Sequence, residues 1–255
     1  RRRFSSARAA RACSRRIRGR SIGRSCTTRG KFSARRSSAR TSSSAWARPN
    51  TTRSLSCSNW SIWAAGAFDY PADKVGLAYG AVAELNQKHW ALRVGYFLTG
   101  NEPNSNMFDT KLFTRGAYVT ELETRYTVFS RPGKFRVAVW ADTYFSGSYR
   151  EAIDLTLISA GLDPNDAILL SRQARTKYGY YLNFEQALTD DVGIFGRWSW
   201  NNGKTEITAF TDIDASLSFG TSIRGTSWGR PDDKIGLAGA INALLLACGL
   251  AEGGR

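Results

Sequence analysis

Glu121 and Glu123 are separated by one residue and followed by Arg125. On an extended strand that spacing sets two side chains on one face about 6.8 Å apart, near the carboxylate separation with which an inverting glycosidase protonates a leaving oxygen and activates water. Every i, i+2 pair on a strand has this spacing, however, and Arg125 beside the pair favours solvated, charge-balanced side chains. His89 is the chain's one histidine, so a Ser-His-Asp triad would have to use it. It stands beside a tight turn before Trp90, where a solvated turn residue is the expectation. Cys13, Cys26, Cys57 and Cys248 form no Cys-x-x-Cys pair, and with one histidine they make neither a zinc site nor a disulfide framework. No Gly-rich phosphate loop occurs. Neither an enzyme nor a cofactor or metal site is expected.

The composition divides the chain. Of 36 Lys+Arg in 255 residues, 17 fall in residues 1–60, which hold no Asp or Glu, leaving 19 bases against all 21 acids beyond. The net charge of +15 is therefore +17 in the head and −2 in the body. A folded basic nucleic-acid-binding domain is excluded, because its footprint would lie on the folded part. Residues 1–59, built of Arg, Ser, Ala and Thr, lack apolar periodicity and are expected to be a disordered, low-complexity basic head. The same composition is what a shifted reading frame in GC-rich DNA produces, and residues 245–255 form an atypical tail open to the same account. No secretory signal is visible in the head. Its functional alternative is an arm that contacts RNA or anionic lipid. No run of 18 apolar residues exists, which excludes helical membrane spans.

From Trp60 to Leu244 the hydropathy period is two, the mark of strands with one apolar face. The apolar positions run Leu77 to Leu85, Trp90 to Leu98, Tyr118 to Val128, Phe135 to Phe145, Tyr178 to Leu188, Val192 to Trp200, Ile213 to Ile223 and Ile235 to Ala243, taking every second residue. None of these 44 positions is charged. A partial strand over Trp60 to Phe68 brings the expectation to about nine strands. The opposite face carries Glu84, Arg93, Glu121, Glu123, Arg125, Arg136, Asp142, Lys177, Glu185, Arg197, Asp214 and Arg224, interleaved with Trp140, Tyr144, Tyr181 and Asn183. Connections alternate between short turns (Asn86–Lys88, Ser130–Gly133, Thr189–Asp191) and long loops (Thr99–Thr114, Gly147–Thr176), the habit of up-and-down membrane barrels. Ala152, Leu155 and Ile158 recur at helical spacing inside the second long loop. Aromatic residues close both ends of the apolar face, and eight tilted residues project to roughly 21 Å, near the height of an outer-membrane apolar band. An antiparallel sandwich alternates in the same way, so a soluble sugar-binding or hydrolytic module stands beside the membrane barrel on pattern alone.

Particular stretches separate the two. Trp63-Ala-Ala-Gly-Ala-Phe-Asp69, Gly76 to Leu85, Trp90 to Phe97, Glu121-Leu-Glu-Thr-Arg-Tyr126, Gly196-Arg-Trp-Ser-Trp200 and above all Trp228-Gly-Arg-Pro-Asp-Asp-Lys-Ile-Gly236 resemble the carbohydrate-selective outer-membrane porins of the OprB type. Pro71-Ala-Asp-Lys-Val-Gly-Leu-Ala78 is echoed by Pro231-Asp-Asp-Lys-Ile-Gly-Leu-Ala238. The resemblance implies an all-β chain forming the later half of a 16-stranded antiparallel transmembrane barrel, located in the bacterial outer membrane and passing sugars passively. Its partners would be small neutral sugars and outer-membrane lipid, with no specific nucleic acid. The pore lining is then expected at Arg93, Glu121, Glu123, Arg125, Arg136, Trp140, Asp142, Tyr144, Tyr181, Glu185, Arg197, Asp214 and Arg224, where charged groups exchange hydrogen bonds with hydroxyls and aromatic rings stack on sugar faces. Arg197 and Asp214 are equally open to a purely structural role in the barrel wall.

Overall fold

Strands that alternate apolar and polar side chains over eight successive runs pair with their sequence neighbours: short turns leave each hairpin no other partner within reach, and the long connections return the chain to the adjacent edge. The computed structural model describes residues 37–38, 60–159, 161–209 and 212–244. Two short strands, β1 (Ser37–Ser38) and β2 (Leu77–Ala78), pair antiparallel. The main sheet has eight antiparallel strands in chain order: β3 (Gly80–Asn86), β4 (Trp90–Phe97), β5 (Gly116–Val128), β6 (Arg131–Ser146), β7 (Gln173–Ala187), β8 (Val192–Asn201), β9 (Ala215–Arg224) and β10 (Lys234–Ala243). β3 and β10 are its edges. Apart from β1, the expectations for residues 1–59, and those for residues 245–255, lie outside the described residues.

Within the eight-stranded sheet the register keeps the expected apolar positions on one face and the expected polar positions on the other. Leu92 faces Leu122, Leu122 faces Val137, Val137 faces Leu182 and Leu182 faces Trp198, rung by rung. β5, β6 and β7 have 13, 16 and 15 residues; at about 3.4 Å per residue they outreach a 25 Å apolar band even when tilted. β5 outruns β4 at the short-turn end, while β6 and β7 run past β5 and β8 at the long-loop end. There the β6–β7 connection folds into the helices α2 (Tyr149–Ile158) and α3 (Pro164–Leu170), each opened by a side-chain cap, Ser148 on the Glu151 N–H and Asp163 on the Asn165 N–H. The helical spacing at Ala152, Leu155 and Ile158 is thus α2.

Burial is inverted relative to a water-soluble sheet. Val139, Phe219 and Leu237 on the apolar face are 57%, 60% and 74% exposed, whereas Arg136, Glu121 and Glu123 on the polar face are 0%, 1% and 2% exposed. No second sheet lies over the apolar face among the described residues. Aromatic rings stand at its two ends, Tyr96 against Tyr118 at the long-loop end and Trp90 and Phe135 at the short-turn end. Between them Val94, Leu122, Val137, Val139 and Leu182 share the face with Tyr180, Trp198 and Trp200.

Two local expectations change. Trp60 to Phe68 is no strand; it opens with a helical turn, α1 (Trp60–Trp63), and continues as irregular chain lying on the polar face. Ala64-Ala65-Gly66-Ala67 offers no β-branched side chain to hold an extended rung. The β5–β6 turn sits at Phe129 and Ser130, not over Ser130–Gly133: Val128 pairs with Arg131, and both turn residues take positive φ, 49° and 61°. Pro132 lies within the ladder opposite Thr127.

Candidate functional site

The polar face is organised as a ladder of opposite charges that crosses five strands. Register places Glu84, Arg93 and Glu121 on adjacent strands at one level, and Glu123 beside Arg136 at the next. Arg93 reaches Glu84 at 3.1 Å, Glu121 at 2.6 Å and Glu123 at 3.4 Å. Arg136 bridges Glu123 at 2.8 Å to Glu185 at 3.1 Å, and Arg125 closes on Glu123 at 2.7 Å. Tyr181 donates its hydroxyl to Glu121 at 2.7 Å. Both members of the Glu121/Glu123 pair are thus occupied by arginine, and neither is held free as the proton donor that hydrolysis at this pair would require.

A second cluster lies toward the long loops. Asp69 accepts from the Thr208 N–H at 3.0 and 3.1 Å and faces the Lys177 ammonium at 3.3 Å. Burial pushes the Asp69 carboxyl above its ordinary range, against the lowering pull of Lys177 and the Thr208 N–H. Asp142 pairs in register with Lys177 and is wholly buried, and its carboxylate oxygens have no hydrogen-bond partner among the described residues. Tyr144 donates to the Glu206 carbonyl. The Glu206 carboxylate takes Arg172 at 2.8 and 2.9 Å and the Gly147 N–H at 2.7 Å. The Arg172 guanidinium is held above its ordinary value by its hydrogen bonds to Glu206, together with that carboxylate's charge.

The remaining expected residues sit on the same face in other company. Arg197 donates to the Ile62 carbonyl and lies 4.7 Å from the Phe195 ring centre. Asp214 is buried with its carboxylate against Gly203. Arg224 is exposed and helps line a cavity of about 440 Å³ at the short-turn end, together with Lys134, Glu185, Asp191 and Lys234. Trp140 and Tyr181 are buried beneath Phe68 and Tyr70. Gly179 makes room for the Trp140 ring, since a Cβ there would stand 2.7 Å from it.

Sequence reasoning did not anticipate the segment Ser61–Asp73, which covers much of this face. Ala67 accepts from Asn201 Nδ2 at 2.9 Å and gives its N–H to Ser199 Oγ at 3.0 Å, while Asn242 donates to Ser61 at 2.9 Å. The available signal was the small-residue run ending in Phe-Asp-Tyr-Pro, which carries a turn-forming Asp and a Pro where a strand should continue.

A one-layer antiparallel meander with a charged, buried face and a bare apolar face between aromatic girdles is a segment of transmembrane β-barrel wall. The chain belongs to the carbohydrate-selective porin, OprB family, which it matches over residues 26–245. Among solved structures it is similar to the high-pH structure of Pseudomonas putida OprB, at 16% sequence identity and a TM-score of 0.49, over 64% of this chain and 39% of that one. The chain thus spans well under two thirds of that protein's length. No curated protein matches the chain.

Proposed function

We propose that this chain lines a water-filled pore through which neutral sugars diffuse passively across the outer membrane. The observation that carries it is the inversion of the sheet: charged side chains are turned inward and apolar ones are left bare, which suits lipid outside and solute inside. The expected lining holds five arginines (93, 125, 136, 197, 224) against five acids (Glu121, Glu123, Asp142, Glu185, Asp214). A balanced wall presents donors and acceptors without a net field, so it favours an uncharged polyol over phosphate or a cation. Arg136 Nη2, Glu185 Oε2 and the Asp142 carboxylate have no hydrogen-bond partner among the described residues. They are buried groups that an ordered water can satisfy. No bond is made or broken; pore width, charge and hydrogen bonding do the selecting. Proteoliposomes carrying the closed barrel of which this chain is a wall segment should swell in iso-osmotic monosaccharide, and planar bilayers should give a reversal potential near zero in a salt gradient. Strong selectivity for either ion, or vesicles impermeable to every sugar, would count against the pore.

A further inference from the structure

The cavity of about 440 Å³ at the short-turn end lies between the start of β6, the β7–β8 turn and the facing ends of β9 and β10. Its volume falls in the range of small-molecule sites. Lys134, Arg224 and Lys234 line it. Register sets Arg224 directly opposite Lys234, and Lys134 between Arg125 on one side and Glu185 on the other. None of these three cations makes an ion pair among the described residues, because the acids of the same cavity are engaged elsewhere. Arg131 takes Asp190, Arg136 takes Glu185 at 3.1 Å, and the Thr226 hydroxyl donates to Asp191 at 2.8 Å. Like charges directly opposite each other on a sheet repel, so the Arg224–Lys234 rung costs stability until something compensates it. The backbone nevertheless holds that rung closed. Just beyond it, Gly225 donates its N–H to the Asp233 carbonyl at 2.9 Å and accepts from the Arg230 N–H at 2.9 Å. A side chain at Gly225 would strike the Arg230 carbonyl oxygen, so glycine is what lets the Gly229-Arg-Pro-Asp-Asp-Lys234 turn fold back and deliver Lys234 against Arg224.

We infer that this cavity binds a phosphate group, free or carried by a small sugar, through Arg224, Lys234 and Lys134. The guanidinium fork of arginine matches two phosphate oxygens at once, and the lysines add compact point charges around them. A phosphate dianion compensates the repelling rung, which a neutral polyol cannot do. The cavity is larger than the ion, which leaves room for an organic part. The site is independent of the pore reading, since the anion is held at the short-turn end whether or not the wall closes around a lumen.

The test is calorimetric titration of the full chain, folded in detergent micelles at low ionic strength, with inorganic phosphate and separately with glucose 6-phosphate. Phosphate should bind saturably and raise the melting temperature beyond what sodium chloride of equal ionic strength achieves. An ester that binds at least as tightly as the ion makes a phosphorylated sugar the ligand; binding of the ion alone makes it free phosphate. Arg224→Gln should weaken binding by about tenfold or more. Lys88→Gln removes a positive charge from another turn at the same end and should leave binding unchanged. Lys234→Gln relieves the rung, so it should raise the melting temperature in oxyanion-free buffer and lose the further rise that phosphate brings. Heat-modifiable migration checks the folding of each variant, and the wild-type titration decides the matter if none folds. A wild-type chain with no saturable binding, a melting temperature that rises equally in chloride and phosphate, or folded Arg224→Gln and Lys88→Gln chains weakened alike overturns the site. Each of those results leaves the pore standing.

Discussion

Arg136 on β6 lies 2.8 Å from Glu123 on β5, wholly buried, and it is held from the other side by Glu185 at 3.1 Å. Three charges in a low-dielectric wall are tolerated only while they compensate one another. Arg136→Ala leaves two buried carboxylates facing each other and should cost about 3–5 kcal/mol of unfolding free energy. Arg125→Ala removes a more exposed partner from the same Glu123 and should cost under about 1 kcal/mol. Urea titration of the folded chain in detergent micelles, read by tryptophan fluorescence, compares the two; equal losses would mean that the ladder is solvated throughout.

The bare face makes the opposite demand. Val139 lies midway along β6, between Thr120 and Tyr180, with its side chain exposed. Val139→Lys puts an ammonium in the middle of the apolar band and should destabilise the inserted sheet by about 2–4 kcal/mol, whereas Val128→Lys at the strand end should cost about 0–1 kcal/mol. The check is equilibrium unfolding from lipid vesicles. A chain that tolerates lysine equally at both depths does not meet lipid there.

At the β5–β6 hairpin, Phe129 and Ser130 both hold positive φ, the pattern of a type I′ turn. Neither residue favours that region; side chains with a Cβ pay about 1–2 kcal/mol for it. Phe129→Asn with Ser130→Gly should therefore raise stability by about 1–2 kcal/mol and leave sugar permeation unchanged, since the turn lies outside the lumen face. Thermal unfolding together with vesicle swelling measures both halves of that statement.

How much of this was legible in the sequence depends on which force acts at each residue. Strand faces could be read because lipid and water impose opposite demands on alternate residues, so Val139 and Arg136 declare their sides by type alone. The β5–β6 turn was misplaced because Pro132 and Gly133 are the usual turn residues, while the register from Leu122↔Val137 down to Val128↔Arg131 leaves only two residues for the bend. The segment around Phe68 was illegible for a different reason. It is an apolar stretch whose partners, Trp140 and Tyr181, are aromatic residues on the polar face, so hydropathy assigned it to the wrong surface. Contacts such as Asp69 with Lys177 and with Thr208 join residues more than a hundred positions apart, and no local pattern announces them. The charge ladder is intermediate: its members were identifiable one by one, and only the cross-strand register shows which arginine serves which acid.

Asp69 gives the pH dependence. Its carboxyl is raised by burial above the unfolded value of 3.8, so the folded chain binds this proton more tightly than the unfolded chain does. The stabilisation it supplies is fully present below that unfolded value and is lost as pH rises through the raised folded one. Lys177 opposes the shift, and the buried Asp142 and Tyr144 lie in the same cluster. Asp69→Asn keeps an acceptor for the Thr208 N–H but cannot ionise. The difference in melting temperature between wild type and Asp69→Asn, followed from pH 3.5 to pH 8 in detergent, should therefore move in the variant's favour as pH rises. If the wild type instead gains on the variant toward neutral pH, the attraction between Asp69 and Lys177 outweighs the burial of the carboxylate, and the cluster is an ion pair in its resting state.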